Sequence, residues 1–129
     1  YTIAFTSVSA DGGVSINGSD NTKIMFAEAG VYSIQGHLQL RSSNSSAKTA
    51  YYWLSVNGTD IDHSERISLD ANNAYAVLGV NDQINIAAGS YLQAKFAVTD
   101  TALWLDGAVA TSFAPASQPI ALTITRSRQ

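Results

Sequence analysis

Apolar and polar residues alternate along long stretches of this chain, which is the spacing of a β-strand with one buried face. The longest stretch runs from Gly30 to Arg41, and its even positions are mostly apolar: Tyr32, Ile34, Leu38 and Leu40. A second runs from Pro119 to Arg126 and begins with a proline, which suits the first position of a strand. Both are therefore predicted to be half-buried strands.

Shorter segments predict further strands: Tyr1 to Phe5, Lys23 to Phe26, Thr49 to Val56, Tyr75 to Val80, Gln83 to Ile86, Tyr91 to Val98, Leu103 to Leu105 and Val109 to Phe113. Turn-forming residues separate them: Asp11-Gly12-Gly13, Asn17-Gly18, Asn57-Gly58, Asn81-Asp82, Ala88-Gly89-Ser90 and Asp106-Gly107. The best helical stretch, Ser68 to Val80, is interrupted by Asn72-Asn73 and rich in residues that favour strands. The polar run from Ser42 to Ser46 predicts a mobile, solvent-facing loop. The pattern indicates one all-β domain over residues 1–129, an antiparallel sandwich or barrel.

The predicted strand from Thr49 to Val56 is apolar on both faces. Tyr51 and Trp53 lie on the face opposite Ala50, Tyr52, Leu54 and Val56. Such a strand needs cover on both sides, either from this chain or from another subunit. Aromatic residues are enriched in the buried centres of subunit interfaces, so Tyr51 and Trp53 are candidate interface residues.

Composition excludes several classes of protein. The formal net charge is −3 and the seven Lys and Arg residues are scattered, so a nucleic-acid partner is not expected. The chain has no cysteine, which rules out disulfides and thiolate metal sites. The apolar runs at residues 24–27 and 74–78 are far shorter than the ~18 residues that span a bilayer, so no membrane partner is expected. Ser and Thr number 26 against 17 charged residues, so hydroxyls and amides rather than charges form the polar surface.

Four segments, in the same order, resemble the jelly-roll superfamily that includes tumour necrosis factor and the complement globular heads. The segment from Phe26 to Ile34 resembles its signature of an aromatic residue, a short turn, glycine, tyrosine and an apolar residue, with Gly30 allowing the turn and Tyr32 entering the core. The other three segments are similar to a strand with an Asn-Gly turn, a hairpin and the terminal strand: Leu54 to Ile61, Ile84 to Leu92 and Pro119 to Thr125. Two features depart from the family, because Ser90 stands where its hairpin usually has Asp and the cysteines of many animal members are missing.

The chain is more similar to the jelly rolls of bacteriophage virion proteins, which occur in capsid decoration or cement proteins, head fibres and tail fibres. The features that carry this resemblance are the hydroxyl-rich surface and the segments Tyr51-Tyr52-Trp53-Leu54, Val56-Asn57-Gly58 and Ala87-Ala88-Gly89. The resemblance implies a TNF-like jelly roll that forms a tight homotrimer and has no enzymatic activity. The expected location is the virion surface, and the expected partners are the major capsid protein or other virion proteins. On the long strand, Gln35 and His37 are candidate residues of the subunit interface. The alternative is a receptor- or carbohydrate-binding head domain of a tail fibre, with a host-surface glycan as partner.

Residues with catalytic or metal-binding chemistry are few. His63 lies in the acidic segment Asp60-Ile61-Asp62-His63-Ser64-Glu65, whose oxygens could bind calcium, but the segment lacks the regular spacing of an EF-hand and is predicted to be a solvated loop. His37 is predicted to be a solvent-facing or interface hydrogen-bonding residue. No serine lies in a Gly-x-Ser-x-Gly motif, so a hydrolase is the weakest hypothesis, and no cofactor is expected.

Two aromatic residues are candidates for stacking against a sugar. Tyr75 follows Asn72-Asn73, and Trp104 is followed closely by Asp106. The alternative is that such residues belong to the core, where large aromatic side chains are more often found.

Overall fold

The computed structural model of the chain describes residues 2–5, 9–10, 12–72, 74–106, 111–114 and 120–127, with the backbone alone at residues 9, 10, 62 and 63. Its strands are β1 (Ser9–Ala10), β2 (Val14–Ile16), β3 (Ile24–Phe26), β4 (Gly30–Ser42), β5 (Lys48–Val56), β6 (Thr59–Leu69), β7 (Tyr75–Ile86), β8 (Tyr91–Val98), β9 (Leu103–Leu105) and β10 (Ile120–Arg126). None of these described ranges is helical. The all-β prediction is therefore confirmed.

The strands form two five-stranded sheets around one apolar core. In sheet I the order is β1-β10-β4-β7, and β9 pairs with β4 beyond the end of β10. In sheet II the order is β2-β3-β8-β5-β6. Neighbouring strands are antiparallel, except that β1 is parallel to β10. The chain is thus an antiparallel β-sandwich, and the connections β3–β4, β4–β5, β6–β7, β7–β8 and β8–β9 each pass from one sheet to the other.

Three predicted strands differ at the ends of the fold. The predicted strand from Tyr1 to Phe5 is wrong, because residues 2–5 make one isolated bridge between Thr2 and Lys95, and Tyr1 lies outside the described residues. Of the predicted strand 109–113, residues 109 and 110 lie outside the described part, and the rest belongs to a turn in which the Thr111 N–H donates to the Ala114 carbonyl over 2.8 Å. The terminal strand begins at Ile120, and Pro119 also lies outside.

The prediction of a turn at Asn81-Asp82 is wrong. Residues 75–86 form the single strand β7, in which Asn81 pairs with Gln35 and Asp82 with Ile34. The partner strand β4 is 13 residues long and offers an unbroken ladder from Gly30 to Arg41. A long partner of this kind outweighs the weak local preference of Asn and Asp for turns.

The acidic segment predicted to be a solvated loop is part of β6. This strand forms a hairpin with β5 through Asn57-Gly58, whose φ angles of 52° and 83° both lie in the left-handed region. That geometry is the two-residue turn that Asn-Gly favours. The Asn57 side chain also accepts from the Tyr91 N–H over 3.0 Å and donates to Ser90 Oγ over 3.1 Å, which ties the hairpin to the start of β8.

The predicted core residues of β4 are buried, together with apolar side chains from both sheets. Tyr32 is 1% exposed, its ring meets Phe26 edge-on at 4.7 Å, and its hydroxyl donates to the Glu28 carbonyl over 2.8 Å. The prediction that Tyr32 enters the core is therefore confirmed. Gly30 has no positive φ, and its missing side chain instead leaves room for Arg126, whose Nε would lie 2.6 Å from a Cβ built there.

The predicted loop from Ser42 to Ser46 is exposed only from Ser43 onward, because Ser42 is 0% exposed and ends β4. The exposed loop at residues 43–47 is closed by a buried lysine. Lys48 is 2% exposed, and its ammonium donates to the Asn44 carbonyl, the Asn44 side-chain oxygen and the Ser46 carbonyl at 2.8, 2.9 and 2.6 Å. An ammonium has three N–H donors, so this one is fully satisfied without a carboxylate. The β4–β5 loop thus has a fixed internal anchor.

Candidate interaction face

Sheet I has a broad surface on the side away from the core. β4 runs through its middle, with β7 along one edge, β10 on the other side and the short strand β1 beyond β10. Side chains alternate across a strand, so the residues between the buried ones lie on the outer side. We call this surface the polar face, and its residues are Val31, Ser33, Gln35, His37, Gln39, Val77, Gly79, Asn81, Gln83, Asn85, Ala121, Thr123 and Thr125.

The polar face carries no Asp, Glu, Lys or Arg, and the next outward-facing residue along β4 is the charged Arg41. Gln35 is exposed and His37 is half-buried, so the structure brings these two predicted interface residues onto one surface. His37 pairs with Gly79 on one side and Ala121 on the other, and no atom lies within 4 Å of a Cβ built at Gly79. A partner could cover such a face without removing water from a full charge, which is the costly step in burying an ion.

At one end of this sheet, the two predicted ligand residues lie on either side of an arginine. Arg41 pairs with Tyr75 of β7 and with Trp104 of β9. Its guanidinium carbon is 5.2 Å from the Tyr75 ring centroid and 5.9 Å from that of Trp104, within the range of cation–π attraction. We call these three residues the Arg41 cluster. The sequence predicted both aromatic residues as candidate ligand-binding residues. It did not predict Arg41, because no motif in the neighbouring sequence identifies this arginine as part of a site.

Tyr51 and Trp53 do not share the polar face. They lie on β5 of sheet II, where Tyr51 pairs with Ala97 and Arg66, and Trp53 pairs with Lys95 and Ser64. Both are half-buried, and the Trp53 indole N–H is buried with no hydrogen-bond partner among the described residues. The four predicted interface residues therefore fall on opposite sheets.

The candidate calcium residues are spread along β6. Asp60 is exposed next to the hairpin turn, and Glu65 pairs with Tyr52 further along the strand. The side chains of Asp62 and His63 lie outside the described residues. In the described part of the chain, no three His, Cys, Asp or Glu side chains come together to hold a metal ion.

Inside the sandwich, Tyr52 is a polar side chain in an apolar setting. It is 1% exposed, and its hydroxyl has no hydrogen-bond partner in the described part of the chain. Burial, and after it the negative charge of Asp82, raises the pKa of the Tyr52 hydroxyl well above its ordinary value. Tyr52 therefore stays neutral at ordinary pH, as one of the buried side chains of the core.

An apolar cavity of about 520 Å³ opens beside the Arg41 cluster. Its lining comes from the end of β8 and from β9: Phe96, Ala97, Val98, Thr101, Leu103, Trp104 and Leu105. Trp104 thus borders the cavity and also lies near Arg41. Among the described lining residues none is titratable, and most are apolar, so they offer a ligand mainly apolar contact.

Among the described residues, His37 makes no hydrogen bond to another side chain. The fold and this surface define a two-sheet antiparallel β-sandwich with a broad uncharged face. No protein-family model matches the chain, and no curated protein shows significant similarity to it.

Among the described residues, none belongs to a helix long and apolar enough to cross a bilayer.

Proposed function

We propose that this chain is a non-enzymatic, trimeric jelly-roll module of a bacteriophage virion surface, which decorates or cements the capsid or forms part of a fibre. The observation that carries the proposal is the polar face, because the outward-facing residues that define it on β4, β7 and β10 carry no full charge. Surfaces depleted in charge are typical of the buried centres of interfaces. The strand order of the two sheets and the repeated crossing between them support the jelly-roll topology.

The size of the polar face constrains how copies would meet. From Val31 to Gln39 a strand spans about 27 Å, and three strands are about 14 Å wide, which gives roughly 400 Å². A standard interface buries about 800 Å² on each partner, so the contact must extend beyond the polar face. In a closed ring each subunit contributes two different surfaces, and the polar face is one of them.

Tyr51 and Trp53 take a different role in this arrangement. They lie on sheet II, whose outer side is opposite the polar face. If the polar face lies toward the threefold axis, these two aromatic residues point away from it. They are then available to a capsid or fibre partner instead of the neighbouring copy.

Sedimentation velocity at micromolar concentration tests the trimer. The expected mass is three times 13.6 kDa, about 41 kDa. Gln35→Glu places one negative charge per subunit on the polar face, where mutual repulsion should dissociate the trimer. Ser64→Glu is the matched control, because Ser64 is exposed on sheet II. A wild-type monomer would overturn the assembly proposal.

Immunogold labelling of intact particles that contain the chain tests its location. Gold on the outer surface of heads or fibres is the expected result. A chain found only inside the particle, or only in free form after particle purification, would contradict the virion-surface role.

A second candidate function, a receptor- or carbohydrate-binding head of a tail fibre, is supported by the Arg41 cluster. Tyr75 is 66% exposed and Trp104 is half-buried on the same side of sheet I, which offers ring surfaces for the apolar face of a sugar. Screening the purified chain on a glycan array tests this function. If no glycan binds, the carbohydrate-binding function is refuted and the assembly role is the one proposal that remains.

A further inference from the structure

The Arg41 cluster is a row of three side chains across three neighbouring strands. Arg41 is the last residue of β4 to pair with β7, and on its other side it pairs with β9. Tyr75 and Trp104 are therefore held on either side of the guanidinium by the backbone ladder of the sheet. A group held by packed strands is more precisely placed than one on a free loop.

Arg41 has no polar partner among the residues that the structure describes. Its guanidinium makes no hydrogen bond to the described residues, and its Nε is buried without an acceptor. No described carboxylate lies within ion-pair distance, although Asp106 follows Trp104 by two residues and its N–H donates to the Gln39 carbonyl. A guanidinium without an acceptor has its outer N–H donors available to a ligand, and its planar fork matches a carboxylate.

The surroundings favour a sugar over a peptide as the source of that carboxylate. Tyr75 is 66% exposed and Val77, in the next row, is 63% exposed, so apolar surface adjoins the single cation. Gln39 lies opposite Val77 and can hydrogen-bond a hydroxyl group. A strongly acidic peptide would require several cations, whereas the polar face beside the cluster has no Lys or Arg. One carboxylate attached to a ring with an apolar face fits this set.

We propose that the Arg41 cluster binds an acidic sugar residue of a glycan, with the sugar carboxylate on Arg41 and its apolar face against Tyr75 or Trp104. The inference rests on the second candidate function and names its ligand class. It is compatible with the trimer, because Arg41 is six residues from Gln35 along β4, about 20 Å in an extended strand. Gln39 and Val77 belong to both surfaces, so a trimer contact centred on Gln35 must leave their row open for the sugar.

Isothermal titration calorimetry of the whole chain tests the inference with defined probes. These are 3′-sialyllactose against lactose, and a glucuronic-acid tetrasaccharide against its carboxyl-reduced counterpart. At least one acidic sugar should bind about 10- to 100-fold more tightly than its neutral match, the range expected of hydrogen bonds to a charged group. Arg41→Gln should abolish that difference, and Arg41→Lys should retain part of it because lysine lacks the planar fork.

Arg66→Gln is the matched control, because Arg66 is exposed on sheet II and its loss changes the net charge equally. Equal binding of acidic and neutral sugars, or acidic-sugar binding unchanged in Arg41→Gln, would overturn the inference. Neutral-sugar binding that is lost in Tyr75→Ala but kept in Arg41→Gln would preserve the second candidate function and refute the acidic ligand. Absence of binding to every sugar would refute both.

Two further measurements keep the result unambiguous. If Arg41→Gln fails to fold, the comparison of carboxylated and reduced sugars on the wild-type chain still decides the ligand class. Poly-glutamate is the remaining probe, and tighter binding of this peptide than of any sugar would assign the site to an acidic protein and overturn the proposal.

Discussion

Gly36, in the middle of β4, is the position where one added methyl group should do the most damage. A Cβ built on Gly36 would lie 1.8 Å from the Ala121 carbonyl oxygen and 3.0 Å from the Leu122 Cα. Both atoms belong to the backbone of β10, which pairs with β4 from Tyr32 to Leu38. No rotamer change can relieve such a clash, so Gly36→Ala must push the two strands apart.

The size of the effect follows from what the displacement disturbs. Restoring an ordinary carbon–oxygen contact requires β10 to move by roughly 1.4 Å, and strain of this kind costs about 1–3 kcal/mol. The same movement loosens Leu122 and Ile124, which are 6% and 1% exposed. Each would lose part of the roughly 1.5–3 kcal/mol that burial of a large apolar side chain contributes. We therefore expect a loss of about 3–5 kcal/mol.

Chemical and thermal unfolding at matched protein concentration would measure this loss. A domain of this size loses a few degrees of Tm per kcal/mol, so Gly36→Ala should melt roughly 10–25 °C lower. Gly79→Ala is the control, since Gly79 is exposed one row away and has nothing within 4 Å of the added atom. It should be neutral or up to about 1 kcal/mol more stable. A Gly36→Ala protein within 1 kcal/mol of wild type would refute the close approach of β10.

Three other substitutions test the fold. Lys48→Met should cost about 1–2 kcal/mol and speed amide hydrogen exchange at residues 43–47, because exposed loop carbonyls lose their donor; unchanged exchange would contradict the anchor. Tyr52→Phe removes a buried hydroxyl without a partner, so its Tm at pH 7 should not fall. Because the raised pKa keeps Tyr52 protonated in the folded state after the unfolded tyrosine ionises at about pH 10, the wild-type fold loses stability as pH rises above this value, and the variant should lose less; equal losses of stability in the two proteins above pH 10 would refute this explanation. Asn57→Ala should cost about 2–4 kcal/mol through the left-handed φ and the lost side-chain hydrogen bonds, and Asn57→Gly less; equal losses would assign the whole effect to the hydrogen bonds.

The half-buried strands were the most predictable part of the fold. Tyr32, Ile34, Leu38 and Leu40 alternate with polar residues, and this periodicity follows directly from strand geometry. The Asn57-Gly58 turn was equally predictable, since few residues other than Asn and Gly tolerate its positive φ angles.

The strand β6 and the continuity of β7 depended on partners that sequence patterns do not display. β6 carries polar and charged residues through its first half, and its pairing with β5 rather than its own apolar content makes it a strand. Asp82 lies within β7 because the partner β4 continues past it. The preference of a residue for a strand depends largely on such neighbouring strands. The local sequence therefore predicted a turn at Asn81-Asp82, where the ladder between β4 and β7 is in fact unbroken.

The candidate site was predictable only in pieces. Tyr75 and Trp104 were selected from their neighbours in sequence, but their grouping around Arg41 depends on the register of β4 with β7 and β9. In that register Arg41 lies beside Tyr75, which is 34 positions away in the sequence, and beside Trp104, which is 63 positions away. No local motif contains information about such distant pairs. The same lack of long-range information placed Tyr51 and Gln35 in one predicted interface, although they belong to different sheets.

The enclosed ammonium of Lys48 gives the molecule a built-in chemical reporter. Amine-reactive reagents attack the free, deprotonated amine, and an ammonium with all three donors engaged and 2% of its residue exposed is shielded from them. The other lysines, Lys23 and Lys95, are only partly covered. Acylation of the native chain should therefore mark those two first, and the rate at which Lys48 becomes labelled gives the frequency with which the β4–β5 loop opens.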